Sequence, residues 1–205
     1  MRKREIENQE HRYLNRSLWS NLQSLKSTVS LMQTGAHPDD EASRLLAKLS
    51  LDYGYHVSYV NAVRGQGGQN SIGPERDDNL GALRTFELLK AMSVLRTDIG
   101  WLAENRNSSI VDFGLSKSAE ETFEFWGKDH TFQRMVRLVR AYKPDIIIPT
   151  FLDINGQHGH HRAITRATIE AYDNSDNSKI YKDSQFKPWK ISQIFLPAWG
   201  GGGGA

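Results

Sequence analysis

Two apolar runs, each ending in a crowd of histidines and acids, constrain this chain most. "VSLMQ", residues 29 to 33, leads into "TGAHPDDEAS", and "DIIIPTF", residues 145 to 151, leads into "LDINGQHGHHRAIT". A continuous apolar run of that length is a strand buried on both faces, which belongs to a parallel sheet covered by helices. The first cluster sets His37, Asp39, Asp40 and Glu41 together, and the second sets His158, His160 and His161 at a helix start. Taken alone, the first has a plain explanation: Pro38 suits the first position of a helix, and acids in the first turn complement its dipole. The alternative is that both clusters project metal ligands from strand ends into one cleft, where open α/β sheets bind their ligands.

The rest of the pattern fits alternating strands and helices. "TVSLMQ" is expected as the first strand, "DDEASRLLAKLSLDYG" as a helix closed by Gly54, and "HVSYVNAV" as a second strand, a βαβ unit. Before them, Leu14, Leu18, Leu22 and Leu25 fall on one face of an amphipathic helix. A glycine-rich loop, "RGQGGQNSIGPE", precedes a long helix from Asp77 to Leu95, with Leu88, Met92 and Leu95 in one stripe and Arg84 a turn earlier on the same face. An arginine there needs an anion, either Glu87 nearby or a substrate. "IGWLAENRNSSIVDFGLSKS" reads as a short strand with an irregular loop, and Phe123, Phe125 and Trp126 as core or loop packing. Helices follow over "HTFQRMVRLVRAY", broken by Lys143-Pro144, and from His161 to Tyr172, with "SQIFLPAW" as the last strand.

With 205 residues the chain is long enough for one α/β domain, expected over 1–199, with 200–205 as a glycine tail or truncated linker. A formal charge of +2 without long single-sign runs does not call for nucleic acid or an anionic membrane. No cysteine is present, which removes disulfides, thiolate metal sites and cysteine nucleophiles. The N-terminal segment is basic but has no apolar stretch behind it, and no run is long enough to span a bilayer. The compartment stays open: cytoplasmic as written, exported if a signal peptide has been removed.

His158 and His161 are three apart and share a helical face. Nitrogen and carboxylate donors without sulfur suit catalytic Zn²⁺, with three protein ligands and one position for water, at about 2.0 to 2.2 Å. The candidate ligands are His37, Asp40 and His161. Fe²⁺ takes a similar two-histidine, one-carboxylate set, so zinc, iron or another divalent metal fits the donors.

"AHPDDE" after an apolar strand, "RTFE" on a following helix and "HGHHRA" after a later strand together resemble the zinc-dependent de-N-acetylases of the PIG-L/LmbE type, over about Thr28 to Trp199. The loop segments resemble a longer bacterial branch of that family. The resemblance implies a Rossmann-like three-layer α/β/α fold with a mostly parallel sheet, and hydrolysis of the N-acetyl group of an N-acetylglucosamine-type sugar or conjugate. It implies zinc on His37, Asp40 and His161, Asp39 as general base, and His158, as a protonated donor, stabilising the oxyanion. Arg84, Gly67 and His160 fall to substrate binding. Gly159 and His160 stand where the family motif usually has proline and an aspartate that orients a neighbouring histidine. The expected partner is a small molecule or glycan bearing an N-acetyl amino sugar. Two other readings remain beside it: a dimetal phosphoesterase-like hydrolase, partly imitated by "HGHH", and a catalytically silent Rossmann-like domain that binds a sugar or nucleotide.

Overall fold

In the computed structural model, residues 22–105, 107–183 and 185–198 are described. Most of the helix expected through Leu14 and Leu18, and the whole glycine tail, lie outside them. Five strands form one parallel sheet: β1 (Ser30–Gly35), β2 (His56–Asn61), β3 (Asp98–Trp101), β4 (Ile146–Pro149) and the two-residue β5 (Gln193–Ile194). Their spatial order is β3-β2-β1-β4-β5, every pair parallel. The order reverses between β1 and β4, so the crevice of this sheet opens beyond their carboxyl ends. Both histidine-bearing clusters follow those two strands.

Side-chain alternation along the strands explains the three layers. Leu31 of β1 and Val57 and Tyr59 of β2 pack with Leu46, Leu88, Met92 and Leu95 on one face. Met32, Val60 and Ile147 pack on the other with Trp126, Met135, Val139, Ile164 and Ala167. The first face is covered by α1 (Ser43–Ala47), its π-helical continuation Lys48–Asp52, and α2 (Asp77–Leu95). The second is covered by α3 (Ala119–Trp126), α4 (Lys128–Tyr142) and α5 (Gly159–Asn174). Each fully buried aliphatic side chain contributes about 1.5 to 3 kcal/mol, so burial on both faces is what holds the sheet. Among the described residues no helix is long and apolar enough to cross a membrane.

Three boundaries depart from the sequence expectation. The helix expected from Asp39 begins only at Ser43, because the backbone N–H groups of Asp39 and Asp40 both turn back to the His37 carbonyl, at 2.9 and 3.2 Å. The aromatics expected as core or loop packing lie on a helix that was not expected, α3, which buries Phe123 and Trp126 and whose N-cap Ser118 accepts from the Glu121 N–H at 3.0 Å. The last strand shrinks to Gln193–Ile194 at the sheet edge.

Candidate active site

The turn after β1 does not cap a helix. No acid lies in the first turn of α1, and its N-cap is Ala42. Asp40 folds back instead: its Oδ2 accepts from the backbone N–H groups of Ala36 and His37, both at 2.8 Å. The carboxylate thereby fixes the backbone that carries His37 and leaves Oδ1 facing the second cluster. The plain explanation of "HPDDE" as a helix start therefore fails on this geometry.

The second cluster sits where α5 begins. His158 is the N-cap residue but makes no side-chain capping bond, and His161 lies in the first turn. The His161 ring stacks on Phe151 at 3.9 Å between centroids and 8° between planes. Its Nδ1 lies 3.2 Å from Gln157 Oε1, an acceptor, so the ring hydrogen sits on Nδ1 and Nε2 keeps its lone pair.

His37 shows the same division of labour. Its Nε2 lies 3.0 Å from His160 Nδ1, and its Nδ1 lies 3.1 Å from His161 Nε2. With His37 Nε2–H donating to His160, two lone pairs face each other across that 3.1 Å gap. Such a pair requires a cation or a proton between the rings. Asp40 closes the triangle, with Oδ2 at 3.6 Å from His37 Nδ1 and Oδ1 at 3.5 Å from His161 Nε2. Ligand atoms about 2.0 to 2.2 Å from a tetrahedral ion stand about 3.3 to 3.6 Å apart, so the three donors fit one divalent metal. His158 adds a third ring to the group, its nitrogen within 4.8 Å of those of His37 and His161.

Protonation follows from these contacts. Burial opposes charge on His37, but the Asp40 hydrogen bond and surrounding carboxylates outweigh it and raise its pKa. Burial likewise disfavours the Asp40 carboxylate, yet hydrogen bonds from His161 and His37 hold its pKa well below the usual carboxylate range. Burial pushes His160 down to about 2, with the neighbouring imidazoles adding to the effect, so its ring is neutral and accepts from His37. His158 is lowered by burial and then by His37 and His161.

Asp39 lies outside this triangle, its side chain 69% exposed, and Arg84 Nη2 donates to its Oδ1 at 2.8 Å. Arg84 also donates through Nη1 to the Gly65 carbonyl at 3.2 Å. Glycine is needed there: Gly65 has φ +78°, and a Cβ would stand 2.5 Å from Arg84 Nη1. The glycine-rich loop thus seats an arginine and packs against the 112–114 segment; it follows β2, not β1. His37, Asp39, Asp40, Gly67, Arg84, His158 and His161 together line an open cleft of about 490 Å³.

Residues 32–172, more than half of the chain, match the family described as PIG-L, GlcNAc-PI de-N-acetylase. The chain belongs to the PIG-L family. It is 29% identical over 186 residues to a 1D-myo-inositol 2-acetamido-2-deoxy-alpha-D-glucopyranoside deacetylase of Streptomyces scabiei, covering 80% of this chain and 54% of that one. It is 26% identical over 174 residues to the mycothiol S-conjugate amidase of Streptomyces coelicolor, covering 77% and 56%. The chain therefore spans about half the length of the curated relatives it matches. Among solved structures, N,N'-diacetylchitobiose deacetylase from Pyrococcus horikoshii aligns with TM-score 0.60 and 21% identity over 84% of this chain and 61% of that one. GalB, the 4-carboxy-2-hydroxymuconate hydratase of Pseudomonas putida, aligns with TM-score 0.61 and 16% identity over 82% and 64%. The likeness to both establishes the fold, and the fold alone does not choose between hydrolysis and hydration.

Within the PIG-L frame, the cleft brings together every expected site residue except one. His160 is the correction: it is 0% exposed and sits behind His37 against Trp126 and Phe113, so it does not reach a substrate. Its position in the motif is filled by an acceptor for His37. The protonated His158 expected from the sequence is also corrected, because burial and two imidazole neighbours favour the neutral ring. Its Nε2 lies 3.2 Å from the Ser116 N–H and 3.1 Å from the Gly114 carbonyl, and its Nδ1 is buried without a partner. When Nε2 accepts from Ser116, the ring hydrogen sits on Nδ1. Arg84 pairs with Asp39 in place of Glu87.

Sequence reasoning missed Gln157, Phe151 and Asp112. Gln157 precedes His161 by four, a helical spacing that was available as a signal. Phe151 was visible only as the last residue of an apolar run. Asp112, whose Oδ1 lies 3.9 Å from His160 Nδ1, sits in an irregular segment where no periodicity marks it.

Proposed function

We propose that this chain carries the catalytic centre of a metal-dependent hydrolase that removes the N-acetyl group from an N-acetylglucosamine-type sugar or conjugate. The observation that carries this is the triangle of His37 Nδ1, His161 Nε2 and the Asp40 carboxylate, at 3.1, 3.5 and 3.6 Å, with Asp39, held by Arg84, beside it. The names of the relatives, a deacetylase and an amidase, support carbon–nitrogen hydrolysis of acetylated amino-sugar conjugates. Zinc is the metal we assign, since two imidazoles and one carboxylate form the usual catalytic zinc set, and Fe²⁺ fits the same donors.

Bound by His37, Asp40 and His161, a divalent ion supplies a water acidified to a pKa of about 7 and a Lewis acid for the acetamide carbonyl. The chain's own groups do the rest. Asp39 is next in sequence to a ligand but its Oδ1 is held by Arg84, which leaves Oδ2 to accept the proton of the attacking water. That proton then passes from Asp39 Oδ2 to the departing amine. His158, neutral with its hydrogen on Nδ1, donates to the developing oxyanion. Arg84 positions Asp39, and Arg84 with the backbone at Gly67 borders the sugar.

Elemental analysis of the purified chain and of His161→Ala is the test, followed by amine release from N-acetylglucosamine conjugates. About one zinc or iron per chain, lost in the variant, together with amine release, is the expected result. Failure of the folded chain to hold metal after zinc is supplied would overturn the proposal. Asp39→Asn is expected to keep its metal while turnover falls by about 10² to 10⁴.

A further inference from the structure

The carboxyl edge of the sheet carries a second cavity beside the cleft. It is about 590 Å³, within the range of small-molecule sites, and lies beyond β2 and β3 against α2. The same two loops divide it from the cleft: Gln66 faces the cavity and Gly67 the cleft, while Val111 faces the cavity and Asp112 the cleft.

Two charged residues line this cavity, Arg64 and, on α2, Asp78, and Arg64 is its cation. Its guanidinium carbon lies 3.5 Å over the Trp101 ring, a cation–π stack that fixes its plane. Among the described residues no carboxylate pairs with it and no hydrogen bond engages it. Arg84, Arg134, Arg137, Arg162 and Arg166, by contrast, each hold an acid. Burial alone lowers the Arg64 pKa, to about 10, with no nearby acid to raise it. A partly buried guanidinium without an anion is uncompensated, and a carboxylate or phosphate would match its planar fork. Gln66 also lines the cavity, and its Oε1 is buried with no donor. Phe86 and Leu89 of α2, 58% and 39% exposed, line the same cavity, with Lys90 Nζ 5.2 Å from the centroid of the Phe86 ring.

We infer that the cavity is a subsite for an apolar substituent ending in a carboxylate or phosphate, the anion resting on Arg64, the apolar body on Phe86 and Leu89, and a donor group reaching Gln66. Only the segments at 66–67 and 111–112 stand between it and the cleft, and that adjacency assigns the substituent to the aglycone of the acetylated sugar. The assignment of the sugar rests on the deacetylase reading; binding of the anion does not.

Calorimetric binding of the 4-carboxyphenyl and unsubstituted phenyl glycosides of N-acetylglucosamine, with free phenyl phosphate as a third probe, separates the two. Wild type is expected to bind the carboxyphenyl glycoside about tenfold tighter than the phenyl glycoside, and Arg64→Gln to bind the two alike. Arg64→Lys, which keeps the charge but not the planar stack, should retain part of the preference and guards against a folding defect. Equal affinities in wild type without Arg64-dependent binding of phenyl phosphate, or a preference that survives Arg64→Gln, would overturn the inference. Saturable, Arg64-dependent binding of phenyl phosphate with no preference between the glycosides would overturn the aglycone assignment. The calorimetry reads binding and the separate assay reads amine release, so a preference in a chain that releases no amine upholds the subsite and rejects the deacetylase reading.

Discussion

The turn after β1 and the first turn of α5 bring the proposed ligands to one centre by different means. The turn is self-contained: Asp40 holds the backbone N–H groups of Ala36 and His37 and turns its other oxygen toward His161 Nε2, so one side chain shapes the proposed site and completes it. The helix start is oriented from outside itself, by Gln157 on Nδ1 of His161 and Phe151 on its ring face. Structure and ligation are fused in the first region and separable in the second.

Substitution should expose that difference. Asp40→Ala is expected to have the largest effect, abolishing metal binding and also destabilising the metal-free chain by about 2 to 4 kcal/mol, because two backbone donors lose their acceptor. For a chain of this size that is a fall of about 5 to 10 °C in Tm, read by calorimetry of the metal-free protein. His161→Ala should abolish metal binding as well, yet cost the metal-free fold only about 1 kcal/mol, the loss of one aromatic stack. Comparable losses of Tm in the two metal-free variants would break the comparison. Gln157→Leu removes only the orienting acceptor, so zinc affinity should fall about 10- to 100-fold in a competitive chelator titration with Tm nearly unchanged.

Proton competition gives the smallest effect. The raised pKa of His37 means that a proton holds the ligand position at pH values somewhat above its ordinary 6.5. Zinc affinity should therefore decline as pH falls through that raised pKa, by about tenfold per pH unit for the one proton displaced, and level off above it. Affinity constant from pH 8 down to pH 6 would contradict the assignment of His37.

The sequence carried the sheet well because continuous apolar runs mark strands buried on both faces: β2 and β4 lie within the expected segments, and β1 overruns its own by two residues, to Gly35. It also carried α2 to its ends, where Leu88, Met92 and Leu95 form the buried stripe. It lost α3, whose three aromatics split between core and surface: Trp126 is fully buried and Phe125 is 56% exposed. The cleft residues were legible as residue types at strand ends. Their roles were less so, because roles depend on which way a ring faces. Nothing in "HGHH" says that the middle histidine turns inward to accept from His37 while those on either side face the cleft. Nor does the spacing of Arg84 and Asp39, far apart in sequence, announce an ion pair that forms only when the loop after β2 folds over the end of β1.

The most direct test of the account is a crystal structure of the zinc-soaked chain with anomalous data at the zinc edge. One peak about 2.0 to 2.2 Å from His37 Nδ1, His161 Nε2 and an Asp40 oxygen is the predicted result. A second buried group, His37, Asp112 and His160, also clusters within 4.8 Å. A peak held there instead, on the other nitrogen of His37, or no peak between His37 and His161, would contradict the central claim.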